Sequence, residues 1–224
     1  MTVRSVSRRV RILTTVATVL VIAVGAVVLA AARTDERAPA RDADSTAEPA
    51  VAVRPNSHRL SDPAGARVTL VEFLDFECEA CGAIYPAMER LRAEYGDRVS
   101  FVVRYFPIPA HRNSGRAALA AEAAAEQGGF ERMYQRLFET QAEWGEKQFP
   151  QDAVFRGLAT EIGLDMAAFD RAYNHPRTAT RVQADFDEGL SLGVQGTPTF
   201  FINGKKITVT GSRELAAALD SALE

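Results

Sequence analysis

Cys78 and Cys81 are the only cysteines in 224 residues, and they sit together in Phe76-Glu77-Cys78-Glu79-Ala80-Cys81-Gly82. An apolar, strand-like run precedes them and a helix-like run follows. A cysteine at a helix N-terminus faces unpaired N–H groups and the positive end of the helix dipole. Both favour the thiolate, which is the nucleophilic form. The second cysteine lies one turn later and can attack a mixed disulfide formed by the first. So short a span closes too small a loop to add much stability, and one pair is no structural framework. Zinc would need two further ligands, and His58, His111 and His175 are scattered rather than in metal-pair spacing. The expectation is a reactive dithiol with no metal and no separate cofactor, the Cys78–Cys81 pair being the redox centre.

The N-terminus predicts export. Arg4, Arg8, Arg9 and Arg11 form a basic start without acids, and Ile12 to Ala32 is an uncharged apolar run. Its length matches the roughly 20 residues that span a bilayer, and basic residues stay on the cytoplasmic side. A cleaved signal peptide has a shorter apolar core, about 7–15 residues. The length therefore favours a retained anchor over residues 1–32, although Ala30-Ala31-Ala32 offers a small-residue cleavage site. Residues 33–56 are rich in Ala, Pro, Asp, Glu and Arg with no aromatic residue, and read as a flexible spacer. On either reading the rest of the chain is extracytoplasmic, where disulfides are permitted. Without the four N-terminal arginines the balance is 22 basic against 29 acidic residues, a net −7. That argues against nucleic acid and anionic lipid surfaces as partners.

Residues 57–224 suffice for one packed domain. Arg67 to Phe76 (RVTLVEFLDF) is nearly continuously apolar, as a central strand buried on both faces requires. The helix opened by the cysteines runs to Tyr95 with Gly96 as its stop, and Pro86 stands inside it. Asp97 to Phe106 is the next strand, completing a right-handed βαβ unit. Residues 111–192 form a helical insertion, with helices over Ser114–Gln127, Phe130–Trp144, Gln151–Ile162, Met166–Tyr173 and Pro176–Leu190. Thr199–Ile202 and Lys205–Thr210 pair as a hairpin across Asn203-Gly204. Ser212 is the expected N-cap of a last helix. The fold class is α/β, with a mixed sheet in the order βαβ, helical insertion, ββα.

Two further positions bear on the chemistry. Glu72 is a carboxylate in a strand that otherwise reads as buried, six residues before Cys78. Burial would raise its pKa, and a neutral carboxyl near the dithiol could pass a proton to or from Cys81. The alternatives are an edge position or an ion pair with a strand neighbour such as Arg104. Asp75, at the strand's end, is expected to hydrogen-bond within the turn. Pro198 begins a strand after Gly196-Thr197 and is a candidate cis peptide, a form taken by about 5–6% of X–Pro bonds.

Together these motifs resemble the thioredoxin superfamily: an acid six residues before the first cysteine, C-x-x-C, Pro86 five residues after the second, and Thr197-Pro198 before a hairpin. The large helical insertion, the VEFLDFECEACG run and the GTPTFFING run resemble its extracytoplasmic, bacterial DsbA-like branch. The resemblance implies a thioredoxin fold interrupted by a helical domain. Cys78 would be the exposed nucleophile, Cys81 the buried resolving cysteine and Glu72 the buried acid. Pro198 would be cis, with Thr197 offering its backbone to an extended substrate. It assigns no role to His111. In one respect the sequence departs from the pattern. Strongly oxidising members carry Pro-His between the cysteines, where this chain has Glu79-Ala80 preceded by Glu77. Two carboxylates near Cys78 should oppose its ionisation.

The expected activity is thiol–disulfide exchange on thiol-bearing, unfolded exported proteins, in the direction that introduces disulfides. The resemblance implies a monomer served by a membrane redox partner of the quinone-linked kind. The alternatives are a reductase or isomerase kept reduced by a membrane thiol donor, and a non-enzymatic tethered chaperone.

Overall fold

The computed structural model describes residues 51–224. The candidate anchor (1–32) and most of the proposed spacer (33–56) lie outside them. Among the described residues no helix is long and apolar enough to cross a membrane.

The organising strand is β2 (Val68–Leu74), all of it buried except the partly exposed Thr69. It pairs in parallel with β3 (Val99–Tyr105) on one side and antiparallel with β4 (Thr199–Ile202) on the other. Strand β5 (Lys205–Ile207) continues antiparallel beyond β4. The hairpin turns through Asn203 and Gly204, both at positive φ (49° and 77°), the geometry a two-residue turn demands. The full order is β1-β3-β2-β4-β5.

Strand β1 (His58–Ser61) has no counterpart in the sequence reading; it pairs antiparallel with the outer side of β3, with a bulge between Arg59 and Ser61. HRLS carries no apolar alternation, so only the open edge of β3 reveals it. The chain just before it also departs from the flexible spacer expected up to residue 56. Ala52 is buried, and the Arg104 guanidinium donates to the carbonyls of Val51 and Ala52 at 3.2 and 3.0 Å. The domain therefore begins no later than residue 51.

Period-two alternation sorts β2 onto two layers. Val68 and Leu70 pack with Met88 and Leu91 of α1 (Glu79–Tyr95) and with Leu215 and Leu219 of α8 (Ser212–Leu223). Val71 and Phe73 pack on the opposite layer with Val102, Phe106 and Phe201. Glu72 is in register with Leu70 and Leu74, so it faces the α1 layer. It is 4% exposed, opposite Val103 of β3 and Phe200 of β4. Neither alternative for Glu72 survives. Its strand is central, and Arg104 pairs instead with Asp185 and Glu188, each at 2.6 Å.

The insertion comprises α2 (Ser114–Ala125), α3 (Phe130–Glu139), α4 (Gln141–Trp144), α5 (Asp152–Glu161), α6 (Met166–Tyr173) and α7 (Pro176–Ser191). The single helix expected over Phe130–Trp144 is broken at Thr140, whose hydroxyl bonds the Arg136 carbonyl at 2.7 Å. In α8 the N-cap is Gly211 rather than Ser212. Glu214 reaches back instead, accepting from the Thr210 amide at 2.7 Å and its hydroxyl at 2.9 Å. Helix α7 approaches the sheet at Gly189, where an added Cβ would lie 2.8 Å from the Phe106 ring and 3.1 Å from that of Phe73. Gly189→Ala should therefore destabilise the fold by about 1–3 kcal/mol through overpacking, despite a helix-propensity gain of about 1 kcal/mol. Urea unfolding of the variant beside the parent measures the net effect.

Candidate functional site

Helix α1 starts at Glu79, and Cys78 is its N-cap with extended backbone (φ −67°, ψ 121°). An N-cap side chain is placed to accept from the second and third helical N–H groups, here those of Ala80 and Cys81. As a thiol Cys78 makes no such bond; as a thiolate it accepts from both. The reduced Cys78 thiol is pushed down to about 5. Hydrogen bonding from the Cys81 thiol is the main cause, burial opposes it, and the Thr197 side chain and the two amides add to it. Cys78 is 8% exposed and Cys81 fully buried. Burial foremost, then the bond to Cys78 and the charge of Glu72, pushes the Cys81 thiol well above its ordinary value. One sulfur of the pair is thus built to ionise and the other to hold its proton.

Beneath the pair, burial pushes Glu72 up to about 8, with the charges of Cys78 and Glu89 adding to the effect. It is a largely protonated carboxyl at neutral pH. Across from the cysteines, the Thr197–Pro198 bond is cis. The Cys78 Sγ–H donates to the Thr197 carbonyl at 3.4 Å. The Thr197 hydroxyl is buried without a hydrogen-bond partner, so it is free to donate once Cys78 ionises.

The turn that holds Cys78 is fastened from beneath and from the insertion. Asp75, 2% exposed, accepts from the amides of Glu77 (2.8 Å) and Ile108 (3.0 Å) and pairs with His111 Nδ1 at 2.6 Å. Glu77 does not stand free beside the sulfur. It is 3% exposed, and its two oxygens accept from the amides of Glu146 (2.9 Å) and Asn113 (2.5 Å). Glu79 points to solvent. The two acids expected to oppose ionisation of Cys78 do not prevail: one is occupied by backbone donors, the other is screened by water, and the thiol is pushed down all the same.

Gln141 is a site residue that no sequence signal pointed to. Its Nε2 donates to the carbonyls of Phe76 (2.7 Å) and Cys78 (2.9 Å). A Cβ at Gly82 would lie 2.0 Å from its Oε1, so glycine there admits the clamp. The helix break at Thr140 puts Gln141 in place, and no local motif marks it. His111 is the second such residue: the resemblance assigned it no role, and it stands at the rim of the Cys78 hollow. Among the described residues no cluster of His, Cys, Asp and Glu could hold a metal ion.

A C-x-x-C pair at a helix start, with a buried acid below and a cis-proline opposite, on this sheet, defines a thiol–disulfide oxidoreductase fold of the DsbA-like kind. The chain belongs to the thioredoxin family, whose sequence model, described as Thioredoxin, matches residues 58–221. It is similar to a thioredoxin-like oxidoreductase from Silicibacter pomeroyi (TM-score 0.65, 27% identity, 78% of this chain and 96% of that one). Pseudomonas aeruginosa DsbA2 is similar too (TM-score 0.60, 25% identity, 75% and 96%). Sequence relatives include a Na(+)/H(+) antiporter NhaA of Herminiimonas arsenicoxydans, 33% identical over 170 residues, 75% of this chain and 26% of that protein. Another is an NhaA 3 antiporter of Salinispora tropica, 38% identical over 157 residues, 70% and 23%. The chain spans about a quarter of the length of these antiporters.

Because the Cys81 thiol is the main stabiliser of the Cys78 thiolate, Cys81→Ala should raise the pH at which Cys78 half-ionises from about 5. A hydrogen bond to a charged group contributes about 1.5–3 kcal/mol, so the rise should be about 1–2 pH units. Ultraviolet thiolate absorbance against pH measures it.

Proposed function

We propose that this chain introduces disulfides into thiol-bearing exported proteins. The observation carrying this reading is the opposed setting of the two cysteines in the reduced form, Cys78 pushed down to about 5 and Cys81 pushed well up. Stabilising the reduced form makes a dithiol pair more oxidising, and a sulfur of low pKa is the better leaving group.

In the oxidised enzyme Cys78 and Cys81 share a disulfide. A substrate thiolate attacks Cys78 Sγ, the S–S bond breaks, and Cys81 departs with the electron pair. Cys81 is fully buried and takes a proton, which the neutral Glu72 carboxyl supplies. The substrate's second thiolate then attacks its own sulfur in the mixed disulfide and releases Cys78 as a thiolate. Two electrons pass from substrate to enzyme, and each proton shed by the substrate thiols reaches the enzyme or solvent. Thr197, with Pro198, presents its carbonyl and its unpartnered hydroxyl to the reacting sulfur. Reoxidation falls to a membrane partner of the quinone-linked class, consistent with an N-terminal anchor that holds a monomeric domain outside the cytoplasm.

Equilibration of the domain with glutathione buffers tests the direction of electron flow. The expected reduction potential lies near the oxidising end of such pairs, about −120 mV, and a value near about −270 mV would sink the oxidase reading in favour of a reductase.

The pH dependence of stability tests the pairing of Glu72 with the dithiol. Between about 5 and the free-thiol value of about 8.5, the unfolded chain holds a Cys78 proton that the folded one has lost. That term makes the reduced fold more stable as pH rises and is lost as pH falls through about 5. Glu72 acts oppositely. From about 4.3 up to about 8 the folded chain holds the extra proton, so its term erodes stability as pH rises. Glu72→Gln removes this opposing term and leaves the rising Cys78 term in place. Urea unfolding of the reduced variant should show stability increasing from pH 5 to pH 8 more steeply than in the parent; parallel profiles would refute the assignment.

A further inference from the structure

Neither residue between the cysteines is a cation, yet a cation borders the nucleophile. A hollow of about 320 Å³ opens beside Cys78, and His111 and Arg112 form part of its wall together with Glu79 and Glu146. The two cations are held differently. Arg112 is exposed and has no hydrogen-bond or ion-pair partner among the described residues. A charge so placed is screened and wanders. The His111 ring is 33% exposed and pinned through Nδ1 to Asp75 Oδ2 at 2.6 Å. Asp75 is anchored in turn by the amide of Glu77, the residue before the nucleophile, and by that of Ile108. One carboxylate at the end of β2 thus fixes both the turn carrying Cys78 and the imidazole facing it.

Asp75 orients the ring from outside the hollow. The carboxylate shares its lone pairs among three donors and does not border the hollow, whereas the ring does. Nε2 of His111 has no partner among the described residues. Between partly buried groups the effective dielectric is far below that of water, so a charge held in place there interacts more strongly than one screened by solvent. The pinned cation therefore outweighs the mobile one. We propose that His111, protonated and held by Asp75, is the positioning cation for the Cys78 thiolate, filling the place left by Glu79-Ala80 between the cysteines. The charged groups around the ring are Asp75, Glu77, Cys78, Glu79, Arg112 and Glu146. Burial opposes protonation of His111, but the bond and charge of Asp75, with the charges of Cys78 and Glu77, outweigh it and raise its pKa.

The functional meaning of this pair rests on the exchange reading above, but the coupling can be measured without any substrate. Interaction between two titrating sites is reciprocal. If His111 favours the Cys78 thiolate, the thiolate favours protonated His111 by the same factor, and closing the disulfide removes that effect. The chain has three histidines, so His111 can be followed by NMR in the reduced and oxidised protein. The expected result is a His111 pKa higher by about one pH unit in the reduced form, a tenfold coupling. His111→Asn keeps a donor for Asp75 without the charge. It should raise the Cys78 half-ionisation pH by a similar amount and lower the reduction potential by about 30 mV, the equivalent of tenfold. His111→Lys should restore much of both. A histidine that titrates identically in the two redox states overturns the proposal, as does His111→Asn leaving Cys78 ionisation unchanged. If the variant does not fold, the titration of the parent protein decides alone. A reducing potential together with a coupled His111 would refute the oxidase direction and keep the pair. An oxidising potential with an uncoupled His111 would do the reverse.

Discussion

Much of this structure depends on the junction where β2 ends and α1 begins. A helix start leaves N–H groups without partners, and here the cap is a sulfur, Cys78. A thiolate at that point satisfies donors that would otherwise face an apolar surround, so ionisation of Cys78 and completion of the helix cap are one event. The junction is useful only if it is rigid, and a free turn on the end of a strand is not. Asp75, Glu77 and Gln141 supply the rigidity by taking up the turn's own amides and carbonyls and those of the segments around it. None of the three has to touch the reacting sulfur to govern it.

The helical insertion is thereby given a physical purpose beyond bulk. Asn113, the N-cap of α2, offers its amide to Glu77, and the broken helix at Thr140 delivers Gln141 to the carbonyls of Phe76 and Cys78. The aromatic group around Phe76, which stands 5.2 Å from Phe138 and 6.1 Å from Tyr134 between ring centroids, seals the same junction from the insertion side. Three acids close together in sequence, Glu72, Asp75 and Glu77, accordingly end in different states of solvation and pairing. Glu72 is buried with no ion pair among the described residues. Asp75 is buried against two amides and an imidazole, and Glu77 is buried against two amides. The environment that separates them is set by the fold.

The sequence by itself determined what is local or periodic. The continuous apolar run named β2 as a central strand, the Asn203-Gly204 pair named the β4–β5 hairpin, and C-x-x-C after a strand named the dithiol, because each signal lies within a few neighbouring residues. Glu72 was legible for the same reason, an acid where the period demands an apolar residue. Tertiary structure alone decided the rest. Strand β1 exists because β3 leaves an edge open, and the chain before it is tied to the domain because Arg104 reaches the carbonyls of Val51 and Ala52. Glu77 could be read from the sequence only as a charge beside a sulfur, and the fold turned it onto amides from Asn113 and Glu146. Gln141 and His111 came to the site from 63 and 33 positions beyond Cys78. Their roles depend on hydrogen bonds whose partners the chain brings together only on folding, and no short-range pattern carries that information.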